Sequence, residues 1–362
     1  YPESADLQFQ ARRRLAFDEL FMYQLVALKK KTEWRCRRNG IVIDKNRSRL
    51  VVDAFLNSLD FELTSDQQTS LDGLLKDMST GVPMGRLLQG EVGSGKTVVA
   101  LSALLAANTS GHQGTLMAPT EVLAEQHFLS ISAQLKAEQL SGEPKDSVRH
   151  AILPGEGNRR ITMVLLIGSL QKSIKKRIQQ MVADGEADII IGTHALLQEQ
   201  ITIPNLGLAV VDEQHRFGVE QRGALTRCEP RPHLLAMSAT PIPRTLSLTV
   251  YGDLDITTLR ILPKGRKPIT TSLANTNPTE NAAYELIRRQ VVEGRQAFVV
   301  CPLIEPSESI EAASALEEFE RLSKDEFKGL RVGLLHGRMK LAEKQDVMDR
   351  VRNRHIDGLV AT

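Results

Sequence analysis

The sequence predicts an α/β protein in which parallel sheets carry helices on both faces, behind an N-terminal helical extension. Three observations lead there. Short apolar runs at Arg86–Gln89, Gly114–Ala118, Ala187–Ile191, Leu206–Val211 and Leu234–Ser238 alternate with helical stretches, the pattern of strands buried on both faces. A second series, Ile269–Leu273, Ala297–Cys301, Leu330–Leu335 and Gly358–Ala361, follows a Pro/Gly-rich break at Leu262–Pro268. The first run also leads through a glycine-rich loop into the apolar stretch Val98–Ala107, giving a strand, a loop and a helix in that order.

A chain of 362 residues exceeds one ordinary core, so two domains and an extension are expected. The boundaries read as a helical connector over 1–60, a first α/β domain over 61–262, a linker over 263–268 and a second domain over 269–362. A net charge of +2 makes no whole-chain case for a polyanion partner. Residues 1–60 hold 12 Lys/Arg against 8 Asp/Glu, including Arg12-Arg13-Arg14 and Lys29-Lys30-Lys31, and such runs are usually solvated faces. Cys36, Cys228 and Cys301 are too scattered for a zinc site or a disulfide framework, which fits a reducing compartment. No apolar run is long enough to span a membrane, and no signal peptide opens the chain. Tyr1 in the place of Met suggests a fragment.

Taken in order, residues 4–33 read as a helix with Leu15, Leu20, Phe21, Leu25, Val26 and Leu28 marking an apolar side. Residues 34–60 read as a mixed, basic connector. Leu63-Thr64-Ser65-Asp66-Gln67 reads as a helix start, with Thr64 or Ser65 able to cap it.

Gly90-Glu91-Val92-Gly93-Ser94-Gly95-Lys96-Thr97 spells G-x-x-x-x-G-K-[ST], the phosphate-binding loop of P-loop NTPases. Gly90, Gly93, Ser94 and Gly95 let backbone N–H groups turn toward phosphate oxygens, and the following helix N-terminus adds partial positive charge. Lys96 is expected to reach the outer phosphates, and the Thr97 hydroxyl to ligate Mg²⁺. ATP and Mg²⁺ are thus the expected cofactors.

Leu208–Val211 is an apolar strand that ends in Asp212 and Glu213. Carboxylates at the C-terminal end of a parallel strand face the ligand crevice. Asp212 is expected to hold Mg²⁺ through water, and Glu213 to deprotonate the attacking water. A strand leaving into a polar turn would look the same in isolation. Ser238, Ala239 and Thr240 follow the next strand, where small hydroxyl residues can report phosphate state to the acids; an ordinary Ser/Thr turn is the alternative.

Read together, GEVGSGKT, APTEVLAEQH (118–127), IIIGTHALL (189–197), DEQHRFGVEQR (212–222), SATPIPRTL (238–246) and Leu334–Lys340 resemble the superfamily 2 helicases, and among them the RecG family. That resemblance implies two RecA-like domains and an ATP-driven motor that migrates branched DNA and regresses forks in recombination and repair. ATP in such motors binds between the two domains, closure grips DNA, and hydrolysis releases it. Residue by residue, it places Gln67 at the adenine and gives Gln214 and His215 the link between ATP state and DNA. It assigns DNA-phosphate contacts to Pro119, Thr120, Glu121, Gly192, Thr193, His194, His336, Gly337 and Arg338. A surface glutamine, a core histidine and ordinary helix caps are the bland alternatives for Gln67, His215 and Thr120.

The resemblance further implies forked DNA as partner, a monomer, a single-stranded DNA-binding protein as a second partner, and a cytoplasmic, nucleoid location without membrane attachment. It also implies that the chain begins after a DNA-splitting wedge domain and stops before the motif that supplies a catalytic arginine. The segment alone is then expected to bind ATP and hydrolyse it poorly. The transcription-repair coupling factor carries a similar motor, with shared D-E-x-x-R-F-G-V and T-P-I-P-R-T themes. Gln214-His215, Gly93-Ser94-Gly95 and HGRMK favour the RecG family. A non-catalytic, nucleotide-dependent DNA-binding switch is the alternative from another class.

Overall fold

The computed structural model describes residues 4–36, 39–140, 144, 147–193, 196, 201–213, 230–239, 254–263, 269–301, 316–337, 339 and 341–362. The chain divides into two compact units, Tyr1–Arg266 and Lys267–Thr362. In the first, β1 (Gly85–Gly90), β2 (Gln113–Ala118), β3 (Val148–Ile152), β4 (Arg160–Leu166), β5 (Ile189–Thr193), β6 (Leu206–Val211), β7 (His233–Ser238) and β8 (Asp255–Leu259) form one eight-stranded sheet. Its order is β3-β4-β5-β2-β6-β7-β1-β8, and every pairing is parallel except the edge pair β3–β4.

Burial on both faces explains the apolar runs. Successive residues of a strand point to opposite faces. Leu88, Leu208 and Val210 accordingly join one core, while Leu87, Ala209 and Val211 join the other. The first core lies under α2 (Lys45–Asn57), α3 (Ser65–Met78), α4 (Lys96–Thr109) and α5 (Glu121–Gln134); α6 (Lys172–Ala183) covers the second. From Val98 to its end α4 is buried, which accounts for its unbroken apolar composition.

Several expectations are corrected here. Residues 45–57, read as part of a mixed connector, form α2. Asp44 caps it by accepting the N–H groups of Asn46 and Arg47 at 2.9 and 3.0 Å. Arg149 and His150 interrupt β3, and Thr257 and Thr258 interrupt β8, so neither shows as an apolar run, whereas β4 buries the apolar run Met163–Leu166, which the sequence reading passed over.

The long helix α1 (Ala5–Cys36) forms as expected, but its apolar side does not bury. Leu15, Leu20, Phe21, Leu25, Val26 and Leu28 are 43–69% exposed. At 100° per residue these positions spread around the helix, so no single stripe exists to pack. Lys31, from a run read as a solvated face, instead bonds Asp255 of β8 at 2.6 Å.

The second unit holds a three-stranded parallel sheet of order β10-β11-β9: β9 (Ala297–Val300), β10 (Val332–Leu335) and β11 (Gly358–Ala361). It packs with α7 (Asn277–Val292), a π-helical turn at Leu322–Glu326 and α8 (Leu341–Arg352). Ile269–Leu273, expected to be a strand, pairs with nothing in this sheet; Ile269 and Leu273 are 79% and 80% exposed. Three hydroxyl residues between two apolar ends give it no continuous face to bury. No helix among the described residues is long and apolar enough to cross a membrane.

His233 anchors the segment before α2 to the sheet. Its Nδ1 accepts the Met84 N–H at 3.0 Å, and its Nε2–H donates to the Ile41 carbonyl at 2.9 Å. Burial pushes its pKa down from 6.5 to about 4. Above pH 6.5 the imidazole is neutral in both folded and unfolded chains. As pH falls toward 4 the unfolded chain takes up the proton first, so stability is lost, by up to about 3 kcal/mol. The melting temperature of the wild type should therefore fall more steeply between pH 6.5 and 4 than that of His233→Gln, whose amide can keep both bonds. Equal slopes would remove His233 from the acid transition.

Candidate nucleotide site and nucleic-acid face

Gly90 ends β1 and Lys96 begins α4, so the intervening loop carries the chain from the sheet edge to a helix N-terminus. The Ser94 N–H donates to the Glu91 carbonyl at 3.0 Å and closes the turn. Gly95 caps α4 in the left-handed region at φ 82°, with no side chain satisfying the first N–H groups of the helix. A Cβ there would lie 2.1 Å from Gln67 Nε2, so both backbone conformation and space demand glycine. Ser94 Oγ is buried and has no partner among the described residues. A loop with free helical donors and an orphaned hydroxyl fits a phosphate group.

Lys96 Nζ donates to the carbonyls of Gly90 and Glu91 at 2.7 and 3.0 Å, which points the ammonium into the loop. Desolvation pulls the Lys96 pKa down, and the charges of Asp212 and Glu213 oppose it. The acidic pair from β6 and the lysine from α4 therefore share one electrostatic neighbourhood.

Asp212 leaves β6 with its N–H bonded to the Met117 carbonyl at 2.8 Å. Its Oδ1 accepts the Glu213 N–H at 3.1 Å, and its Oδ2 lies 2.8 Å from His127 Nε2. Glu213 has φ 51°, a left-handed conformation that costs a non-glycine residue on the order of 1–3 kcal/mol and is concentrated at functional sites. Thr97 follows Lys96 in the first turn of α4. The Thr97 hydroxyl and the Asp212 carboxylate are hard oxygen donors of the kind Mg²⁺ takes. No cluster of three or more His, Cys, Asp or Glu residues able to hold a metal exists among the described residues.

Sheet register brings the remaining residues expected at the nucleotide to the same edge. β7 lies between β6 and β1, with Val211 opposite Ala236 and Gln89 opposite Ser238. Ser238 is buried at the strand end between the acids and the loop, and Ala239 follows it.

Gln67 is 2% exposed. Its Oε1 accepts the Thr64 N–H at 2.7 Å, closing a capping box at the start of α3, and its Nε2 donates to the Ser94 carbonyl at 2.7 Å. The amide expected to face a base edge is thus bonded to backbone at both ends and braces the loop from behind.

The residues expected at DNA stand at the neighbouring strand ends. β2 pairs with β5, placing Ala118, just before Pro119, opposite Thr193. Thr120 caps α5 and accepts the Leu123 N–H at 3.3 Å. Glu121 Oε1 accepts the Gly168 N–H at 2.9 Å. Gly192 is buried with no room for a side chain, since a Cβ would come 2.2 Å from the Leu166 carbonyl. In the second unit, the Gly337 carbonyl accepts from Lys344 Nζ at 2.8 Å, and His336 Nδ1 is buried without a partner among the described residues. His194, Gln214, His215, Thr240 and Arg338 lie outside the described residues, as do linker residues 264–268.

Sequence reasoning singled out no role for His127. It lies within the quoted string at 118–127, but its partner Asp212 is 85 residues away, and no spacing rule connects them.

Comparison with known proteins identifies the family and the fold. The DEAD/DEAH box helicase family model matches residues 64–249, a little over half the chain. The ATP-dependent DNA helicase RecG of Synechocystis sp. is 40% identical over 362 residues, all of this chain and 41% of that protein. Its counterpart from Streptococcus pneumoniae is 42% identical over 353 residues, 98% of this chain and 49% of that protein. A solved structure of RecG bound to a three-way DNA junction aligns with TM-score 0.74 and 37% identity, covering 100% of this chain and 44% of that one. The DNA-bound DUF1998 helicase MrfA, at TM-score 0.57 and 17% identity, shares the fold. The chain spans less than half the length of these relatives. Because the matched family span runs from the cap of α3 through the loop, the acidic pair and Ser238, the chain belongs to the DEAD/DEAH box helicase family.

Proposed function

We propose that this chain is the motor region of an ATP-dependent DNA helicase of RecG type, one that couples ATP hydrolysis to branch migration and fork regression. The observation that carries the reading is the roughly 40% identity to RecG helicases along the whole chain, on a sheet edge that gathers Lys96, Asp212 and Glu213. Residues 61–262 are assigned to the first RecA-like domain and residues 269–362 to part of the second. Branched or forked DNA is the partner, a single-stranded DNA-binding protein a second one, and the protein works as a monomer in the nucleoid.

In this reading Gly90, Gly93, Ser94, Gly95 and the first turn of α4 bind the phosphates through backbone N–H groups. Lys96 contacts the outer phosphates, while Thr97 and Asp212 hold Mg²⁺, Asp212 through water. When bound, the ion supplies charge neutralisation at the phosphoryl oxygens. Glu213 orients the attacking water and takes its proton. Gln67 holds the loop and offers its second amide hydrogen to the base. Gln214, His215, Ser238, Ala239 and Thr240 relay phosphate state. Pro119, Thr120, Glu121, Gly192, Thr193 and His194 contact DNA phosphates on one domain, and His336, Gly337 and Arg338 on the other. Binding through phosphates should be insensitive to sequence and weaken steeply with salt.

The test is ATP hydrolysis by the full-length protein with and without branched DNA. Stimulation by branched DNA is expected, and hydrolysis indifferent to DNA would overturn the reading. Lys96→Ala should weaken ATP binding at least tenfold in an equilibrium titration, because the loop loses its cation; unchanged affinity would contradict the assignment. Glu213→Gln should keep ATP affinity but lower kcat by about 10²-fold or more, the contribution of a general base. Wild-type turnover in that variant would leave the base role vacant.

A further inference from the structure

Asp212 is held from outside its own strand. His127 sits about two turns into α5, and its Nε2 lies 2.8 Å from Asp212 Oδ2. An ionised carboxylate only accepts hydrogen bonds, so Nε2 carries the proton and donates it. Both side chains are largely buried, at 14% and 13% exposure, so water competes little for the bond. The other Asp212 oxygen accepts the N–H of the next residue, Glu213, at 3.1 Å. That local bond tethers one oxygen and leaves the carboxylate plane free to swing. A second donor from a different element fixes the plane. Each oxygen keeps a lone pair for a metal-bound water, so the two bonds orient the group without consuming it.

On this geometry, and resting on the nucleotide-site reading above, we infer that His127 is a positioning residue for the metal: it fixes the Asp212 carboxylate in the orientation that receives Mg²⁺ and ties that carboxylate to α5. The consequence reaches further than one side chain. α5 begins at Glu121, directly after its cap Thr120, at the end of β2 where the expected DNA contacts cluster. Glu121 in turn holds the Gly168 N–H in the turn after β4. One helix thus has its first turn on the expected nucleic-acid face and its second turn bonded to the expected metal ligand. Partners that orient ligating carboxylates commonly matter 10–100-fold in metal affinity.

The experiment measures Mn²⁺, standing in for Mg²⁺, bound by the full-length protein with a non-hydrolysable ATP analogue. Electron paramagnetic resonance reports free Mn²⁺, and nucleotide affinity is measured separately in EDTA. His127→Leu removes the donor and should weaken Mn²⁺ binding about tenfold with nucleotide affinity in EDTA unchanged. His127→Gln, whose amide N–H reaches the same point, should restore Mn²⁺ affinity to within about twofold. Wild-type Mn²⁺ affinity in His127→Leu would overturn the inference, and so would equal losses in the leucine and glutamine variants, which would mark His127 as packing alone. If His127→Leu does not fold by circular dichroism, His127→Asn, too short to reach Oδ2, replaces it with the same two outcomes. A wild-type protein that binds neither the analogue nor Mn²⁺ would overturn the nucleotide-site reading itself, and the inference with it.

Discussion

Everything chemical in the first unit depends on one constraint: its central strands are buried on both faces. β2, β6 and β7 are buried from end to end, and β1 over its last four residues. A polar side chain within those runs would have to find a partner in the core or be costly. Polar groups therefore collect where the strands stop. Since the pairings among these strands are all parallel, they stop along a single edge. The loop after β1, Asp212 and Glu213 after β6, Ser238 at the end of β7 and Pro119 and Thr120 after β2 are neighbours for that reason, although the sequence spreads them from residue 90 to residue 238.

Strand order then divides the edge. Reading β5-β2-β6-β7-β1, the residues expected at nucleic acid occupy the first two strand ends and those expected at the nucleotide the last three. The boundary runs between β2 and β6, which are hydrogen-bonded to each other with Met117 opposite Val211. Asp212 sits on that boundary, its N–H bonded to Met117 and its carboxylate to His127. A change of position on either side of the boundary meets a continuous hydrogen-bonded path to the other. Such continuity is a physical route for coupling, with its strength set by whether these bonds differ between states.

How legible this was depended on whether each signal was local. The loop could be read because its glycines, lysine and hydroxyl residue are consecutive, and because β1 and α4 bury enough apolar surface to show as runs. Asp212 and Glu213 were legible because they end such a run. The strands β3 and β8 were not, since Arg149, His150, Thr257 and Thr258 break their apolar pattern, while β4 was passed over although Met163–Leu166 forms a buried apolar run. The apolar residues of α1 promised a packed stripe that the helix geometry does not assemble, and Ile269–Leu273 looked like a strand but has no paired neighbour among the described residues. The links from Gln67 to Ser94 and from His127 to Asp212 were invisible for a simpler reason. They join residues 27 and 85 positions apart, and only the fold makes them adjacent.

Those two long-range bonds share a logic. Both act on groups that would otherwise be conformationally loose: a loop closed by a left-handed glycine and a carboxylate free to rotate. Both come from helices rather than from the sheet, with donors or acceptors fixed by other bonds. The Gln67 amide is pinned by the capping box of α3, and α5 by its own cap at Thr120. The sheet edge therefore supplies placement, while the flanking helices supply orientation. The ends of buried parallel strands are where ligand-facing loops and carboxylates can stand, but the side chains that hold the Gly90–Thr97 loop and Asp212 in one geometry come from α3 and α5. Those helices also carry the chain toward the neighbouring faces of the unit. The orientation of Asp212 is thus as much a property of α5 as of β6, and a disturbance at Thr120 or Glu121 reaches Asp212 through α5 and His127 rather than through the loop.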